Sequence, residues 1–199
     1  MGLLALLIRL IKKNCRQGSC REKKTQPSNG SKARKWSLFK TSSGEGRQRA
    51  LLENLQIIRD KPLSEYDLMN FINNYNIPHF KGIFMRDALP DKTEYLESGI
   101  MNLDVSSGSG THWTCWFKNK RICYYFDSFG LSPPVEFNNY MNCDIYHSTY
   151  QIQKLDEVIC GHLCILVLYM MTLCNIPFHK ILLQIIKDER KYFWFEQTS

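Results

Sequence analysis

Residues 112–130, His112 to Gly130, read HWTCWFKNKRICYYFDSFG. Two runs dense in aromatic and β-branched residues, Trp113 to Phe117 and Ile122 to Phe126, flank the short polar turn Lys118-Asn119-Lys120. That composition and spacing predict an antiparallel hairpin. Both open ends carry chemistry. His112 follows the loop Gly108-Ser109-Gly110-Thr111, at the rim of the sheet, and Asp127 closes the second strand. A hairpin paired as its turn implies sets an imidazole and a carboxylate on neighbouring positions of adjacent strands, the relation of a base to its orienting group.

Upstream, Ser64 with Asp67 three residues later makes a capping-box-like start, and Leu68, Phe71, Ile72 and Tyr75 recur at helical spacing up to Asn76-Ile77-Pro78. The segment Ile83 to Pro90 ends in a Leu-Pro turn, and Glu97 to Leu103 reads as a strand. Downstream, Pro133-Pro134 opens a connection, Asp144 to Ser148 reads as another strand, and Tyr150 to Gln153 as a short extended stretch. Two helices follow, one from Cys160 to about Cys174 and one from Pro177, the first helical residue, to about Lys187. A helix, a mostly antiparallel sheet and two flanking helices make an α+β domain over residues 62–199.

The helix opening at Cys160, in Val158-Ile159-Cys160-Gly161-His162-Leu163-Cys164, places a thiol among unpaired backbone N–H groups at the positive end of the dipole. Both favour thiolate, the nucleophilic form. Gly161 leaves room for another backbone to approach, such as that of an acyl intermediate. Gln153, seven residues upstream, supplies an amide that could donate to a developing oxyanion beside the Cys160 backbone N–H. Singly, each residue has a plainer use: a loop histidine at the surface, an aspartate in a turn, a buried cysteine as a small apolar group. The order His, Asp, Gln, Cys in these contexts is far more specific. A zinc site from Cys160, His162 and Cys164 fails on helical geometry, because the middle residue points away from its neighbours, so no metal is expected.

The chain has 199 residues, 44% hydrophobic and 23% charged. That balance excludes collagen-like, coiled-coil and wholly disordered chains, and the length suits one domain with some fifty residues left over. The longest apolar runs, Gly2 to Ile8 and Leu163 to Leu173, fall short of the roughly 20 residues a membrane span needs. Eight cysteines without an export signal read as reduced thiols in an intracellular protein. The net charge of +7 is unevenly placed: residues 1–50 hold 13 basic and two acidic residues, net +11, and residues 51–199 hold 13 and 17, net −4. Residues 1–50 therefore form a basic arm, expected to be largely disordered, with an electrostatic contact to DNA open to it. Within it, Leu3, Leu4, Leu6, Leu7, Leu10 and Ile11 alternate with Arg9, Lys12 and Lys13, which suits a short amphipathic helix over residues 2–13. That helix either touches a membrane surface or a partner, or packs on its own domain. Residues 51–61 read as a linker or helix.

The set G-T-H-W, Y-Y-F-D-S-F-G, a glutamine, and C-G-H-L-C resembles the adenovirus-type maturation proteases, which are cysteine endopeptidases. With Phe80 to Pro90 added, it looks closer to the adenain-like proteases of Polinton/Maverick elements and adintoviruses. The likeness runs from about Leu63 to about Lys187. It implies a papain-like, adenain-type fold, with Cys160 as nucleophile, His112 as base and then acid, Asp127 as its orienter and Gln153 as oxyanion donor. Trp113 would pack beside them, and Cys164 would match a second family cysteine that is not the nucleophile. The adenoviral enzymes commonly carry Glu where this chain has Asp127. The resemblance further implies cleavage of viral or mobile-element precursor proteins at Gly-containing sites, in a virion or host nucleus, with an activating peptide and DNA as cofactors. The chemistry itself requires none. Two other readings remain: a protease for ubiquitin-like modifiers, whose cellular members share this residue order, and a non-catalytic basic virion protein that binds nucleic acid.

Overall fold

The structure is a computed structural model that describes residues 61–186. The basic arm, the helix expected over residues 2–13, the linker up to residue 60 and the expected end of the last helix at Lys187 lie outside the described residues.

Ser64 opens helix α1 (Glu65–Tyr75) with a complete capping box: its hydroxyl accepts the Asp67 N–H, and the Asp67 carboxylate accepts the Ser64 N–H at 3.0 Å. Asn76 ends the helix in the left-handed conformation, φ 50°. Five strands follow: β1 (Phe80–Met85), β2 (Leu96–Asn102), β3 (Trp113–Asn119), β4 (Ile122–Phe126) and β5 (Asp144–His147). They lie side by side in chain order as one sheet. The central three are antiparallel, as the aromatic patterning predicts. The two edge strands join them in parallel, so the sheet is mixed rather than mostly antiparallel.

Three local expectations need correction. Strand β1 is not legible in Phe80 to Met85, because all six residues are half-buried and none alternates between core and solvent. Helix α2 (Val135–Met141) occupies the stretch after Pro133-Pro134 that reads as a connection, and buries Phe137 and Met141. The β3–β4 turn is Lys120-Arg121, since Asn119 still pairs with Ile122 and Lys120 takes the left-handed conformation at φ 60°. The short extended stretch 150–153 lies outside the sheet, and its Ile152 and Gln153 N–H groups both donate to the Ser128 carbonyl.

Helix α3 (Cys160–Thr172) is buried at every position from Cys160 to Met171. A helix apolar all round has no solvent face to offer, so it runs through the core. It packs on one face of the sheet with α1 and a further helix over residues 178–186, α4, around Leu68, Ile100, Phe126, Leu163, Leu166 and Ile181. The opposite face is covered by α2, with Trp116, Tyr125 and Phe137 at its centre. The result is the expected α+β class. It sets the first turn of α3 against the open end of the β3–β4 hairpin.

Candidate active site

His112 is held by the loop that precedes it. The buried side chain of Asn102, the last residue of β2, closes both ends of this excursion: its Oδ1 accepts the Asp104 N–H at 2.9 Å and the Thr111 N–H at 3.0 Å. The Leu103 N–H donates to the His112 carbonyl at 2.9 Å. Asp104 fills the loop's interior, where its Oδ2 accepts the Gly110 N–H at 3.0 Å. A Cβ on Gly108 would lie 2.2 Å from that oxygen, so any side chain there would displace the Asp104 carboxylate. Sequence reasoning identified the Gly/Ser loop but neither side chain that shapes it.

The β3–β4 register, Cys115 opposite Phe126, puts His112 and Asp127 just past the paired ends. His112 Nε2 lies 3.1 Å from Asp127 Oδ1. The same oxygen accepts the Phe129 N–H at 2.7 Å, and the Phe129 ring lies over the imidazole with centroids 4.7 Å apart. Asp127 is fully buried. Its own peptide groups are held by Ser148, whose hydroxyl accepts the Asp127 N–H at 3.0 Å and donates to the Asp127 carbonyl at 2.7 Å. Thus one serine replaces the strand neighbour that Asp127 lacks.

Cys160 lies at the first position of α3, and its thiol is hydrogen-bonded to His112. With Nε2 on Asp127, Nδ1 is the ring nitrogen left for the sulfur. Burial opposes charge on both partners. For His112 the hydrogen bonds to Asp127 and Cys160 outweigh burial and raise its pKa to about 9. For Cys160 burial again acts first and upward. The His112 hydrogen bond and the backbone N–H groups of Trp113 and Gly161 overcome it, and the thiol falls below its ordinary value. Both shifts favour the thiolate and imidazolium forms of the pair over the neutral ones.

Cys164, one helical turn further, has the opposite fate. Its sulfur donates to the Trp113 carbonyl at 3.4 Å, and complete burial pushes its thiol far up. Trp113 touches both cysteines, its N–H adding to the pull of His112 toward thiolate at Cys160 and its C=O accepting from Cys164, which burial and Cys115 hold as thiol. The Trp113 indole donates to the Leu63 carbonyl at 2.8 Å, tying the start of α1 to this corner.

Gly161 serves a different purpose from the expected one. A Cβ there would meet Leu63 Cβ at 3.1 Å, Trp113 Cδ1 at 3.2 Å and Leu68 Cδ2 at 3.3 Å. The missing side chain admits the protein's own core rather than a substrate backbone. Because the indole is bonded to Leu63, it has little freedom to give way. Gly161→Ala is expected to cost about 1–3 kcal/mol by overpacking. Thermal denaturation should show a lowered midpoint, and an unchanged one would mean the corner can relax.

Gln153 is buried and its carboxamide is engaged at both ends. Oε1 accepts the Ser128 hydroxyl at 2.8 Å, and Nε2 donates to the Glu157 carbonyl at 2.5 Å. His112, Asp127 and Cys160 thus meet directly, and Gln153 joins them through Ser128, the neighbour of Asp127. Phe129, Ser128, Ser148, Asn102 and Asp104 are the supporting residues that the sequence did not reveal. The Asp-Ser-Phe-Gly run was the available signal for two of them.

Neither a protein-family model nor a curated protein matches this chain. Among solved structures, the selenomethionine crystal structure of the ASFV pS273R protease is similar, at 16% identity with a TM-score of 0.47, over 62% of this chain and 63% of that one. The chain thus spans less than two thirds of that protein. At this identity and score, the likeness by itself assigns no activity and no residue role. Those rest on a buried carboxylate, an imidazole and a helix-terminal thiol in hydrogen-bonded sequence.

Proposed function

We propose that this protein is a cysteine endopeptidase of the adenain type, acting on viral or mobile-element precursor proteins at Gly-containing sites, as in Polinton and adintovirus relatives. One observation carries the reading: the Cys160 thiol at the start of α3 is bonded to His112, whose other nitrogen meets the buried Asp127. The Cys160 thiolate attacks the scissile carbonyl carbon, and the π electrons move onto oxygen. The Gln153 Nε2–H and the Cys160 backbone N–H receive that charge. His112, as imidazolium, gives its proton to the leaving nitrogen as the C–N bond breaks, leaving a thioester. Neutral His112 then takes a proton from the water that attacks the thioester. Collapse expels the thiolate and restores the ion pair. Asp127 holds the ring and favours its charged form throughout.

The arm of net +11 would bring the enzyme to DNA by counterion release, so DNA affinity should fall steeply with added salt and be lost on deletion of residues 1–50. The deciding experiment presents the full chain with a Gly-Gly reporter peptide, with and without DNA, beside a ubiquitin-like modifier fusion. Cleavage of the reporter with the fusion left intact is the expected result. Cleavage of the fusion alone would assign the chain to modifier processing. Silence on both, with Cys160 unreactive to alkylation, would leave the non-catalytic reading. Gln153→Ala should lower the reporter rate by roughly 10²–10³ if its amide stabilises the oxyanion.

A further inference from the structure

We propose that Ser128 is a positioning residue that sets the orientation of the Gln153 carboxamide, and so decides which end of that group faces the reacting carbonyl. The inference rests on the peptidase reading and adds to it a residue with no direct part in the chemistry.

A carboxamide is nearly symmetric in shape and opposite at its two ends. Turned one way it offers N–H to an oxyanion; turned the other way it offers a lone pair, which would repel one. Its environment must choose. The Ser128 hydroxyl donates to Gln153 Oε1 at 2.8 Å, and Gln153 Nε2 donates to the Glu157 carbonyl at 2.5 Å. The reversed amide would set Oε1 against the Glu157 carbonyl, two acceptors with no proton between them. The serine oxygen could then accept the turned Nε2–H, but its own buried proton would lose its acceptor, so Ser128 adds to the choice that the Glu157 carbonyl begins. Both side chains are buried, with Ser128 at 0% and Gln153 at 2% exposure, so water does not readily substitute for either bond.

The backbone reinforces the choice. The Ser128 carbonyl accepts the N–H groups of Ile152 at 2.8 Å and Gln153 at 3.0 Å, which fixes the Gln153 main chain against the same residue that holds its side chain. With one Nε2 hydrogen on Glu157, one remains, and the peptidase reading assigns it to the substrate oxygen. Adjacent residues of one turn therefore serve the two halves of the reaction: Asp127 orients the base, and Ser128 orients the oxyanion donor.

The test separates the amide from the thiolate. Ser128→Ala should lower kcat about 10-fold with KM unchanged, the effect of one lost buried hydrogen bond. Affinity for a peptide aldehyde, whose hemithioacetal oxygen needs the same donor, should fall by a similar factor. Alkylation of Cys160 by iodoacetamide, and its pH profile, should not move, because neither uses the amide. Ser128→Thr keeps the hydroxyl and should restore most of the loss. In a Gln153→Ala background, Ser128→Ala should add nothing. Wild-type protein gives a second measurement that does not depend on how the variant folds: NMR should show Gln153 Nε2 protons that exchange with solvent far more slowly than those of exposed glutamines.

Several results would overturn the proposal: rapid solvent exchange of the Gln153 amide protons in the wild type, an unaltered kcat in Ser128→Ala, or an equal loss in alkylation. Absence of any Cys160-dependent turnover by the wild type would refute the peptidase reading, and this role with it. Normal turnover in Ser128→Ala would refute only this role.

Discussion

Cys160→Ala is expected to abolish turnover of a reporter peptide while the protein still folds, and Cys164→Ala to retain most of it. Among the described residues, the first substitution removes the only thiol held at a helix start against an imidazole, and no neighbouring group can form the thioester in its place. Cys160 is nearly covered, and alanine fills most of its volume, so the stability change should be small beside the loss of rate. Cys164 lies one turn deeper with its proton committed to the Trp113 carbonyl, and burial holds it as the inert thiol. Active-site titration with a thiol reagent, followed by mass spectrometry, should place the label on Cys160. The opposite labelling would shift the nucleophile by a turn and end the mechanism proposed above.

Replacing His112 by Ala should lower kcat roughly 10³–10⁴-fold, since the residue both charges the nucleophile and protonates the leaving group. The pH dependence shows which duty is lost. In the wild type, hydrolysis should rise as Cys160 ionises, below the ordinary thiol range, and fall as His112 loses its proton near pH 9. Without His112 the thiol loses the hydrogen bond that most favours its charge, so the alkylation profile should move to higher pH. Asp127→Asn gives the complementary result. An amide oxygen can still accept from the ring but carries no charge, so the His112 pKa should fall and the alkaline limb of hydrolysis should move to lower pH. The sign for stability agrees. A histidine whose pKa is raised on folding contributes stability that is complete below about 6.5, its unfolded value, and disappears as pH rises through about 9. Asp127→Asn should lose the part of that contribution that Asp127 supplies, leaving the part due to Cys160. An unmoved alkaline limb would mean that Asp127 does not set the charge on His112.

Much of this arrangement was legible in the residues themselves. The hairpin and α3 announce themselves through local composition, and His112, Asp127 and Cys160 lie within a residue of their ends, so placing the elements places the side chains. Gln153 was legible through its spacing from Cys160 more than through any structure of its own. What stayed hidden depends on distant partners. Strand β1 pairs in parallel with β2, and its half-buried residues carry no period of two to show it. Helix α2 is only seven residues long and follows a proline pair that locally suggests a loop. Asn102, Ser128 and Ser148 read as ordinary polar residues, and their roles arise only when the loops they brace close around them. Gly161 shows that a correct identity can carry a mistaken reason: the expected vacancy exists, and the indole of Trp113 and two leucines fill it.

The burial of α3 along its length also bears on how the protein opens and fails. Regions with few buried contacts open locally, at free energies well below that of global unfolding. The helix that begins with Cys160 is the opposite case, since exposing it means dismantling the core on the α1 and α4 side of the sheet. Amide hydrogens in the middle of α3 should therefore exchange only with global unfolding, and those of β3 nearly as slowly. Edge strand β5, with its exposed Tyr146, should exchange far sooner. Heat or denaturant should then extinguish catalysis and near-UV signal in one transition, with no inactive but folded species between them. A reagent bound to Cys160 becomes, by the same logic, a probe of the whole fold's lifetime.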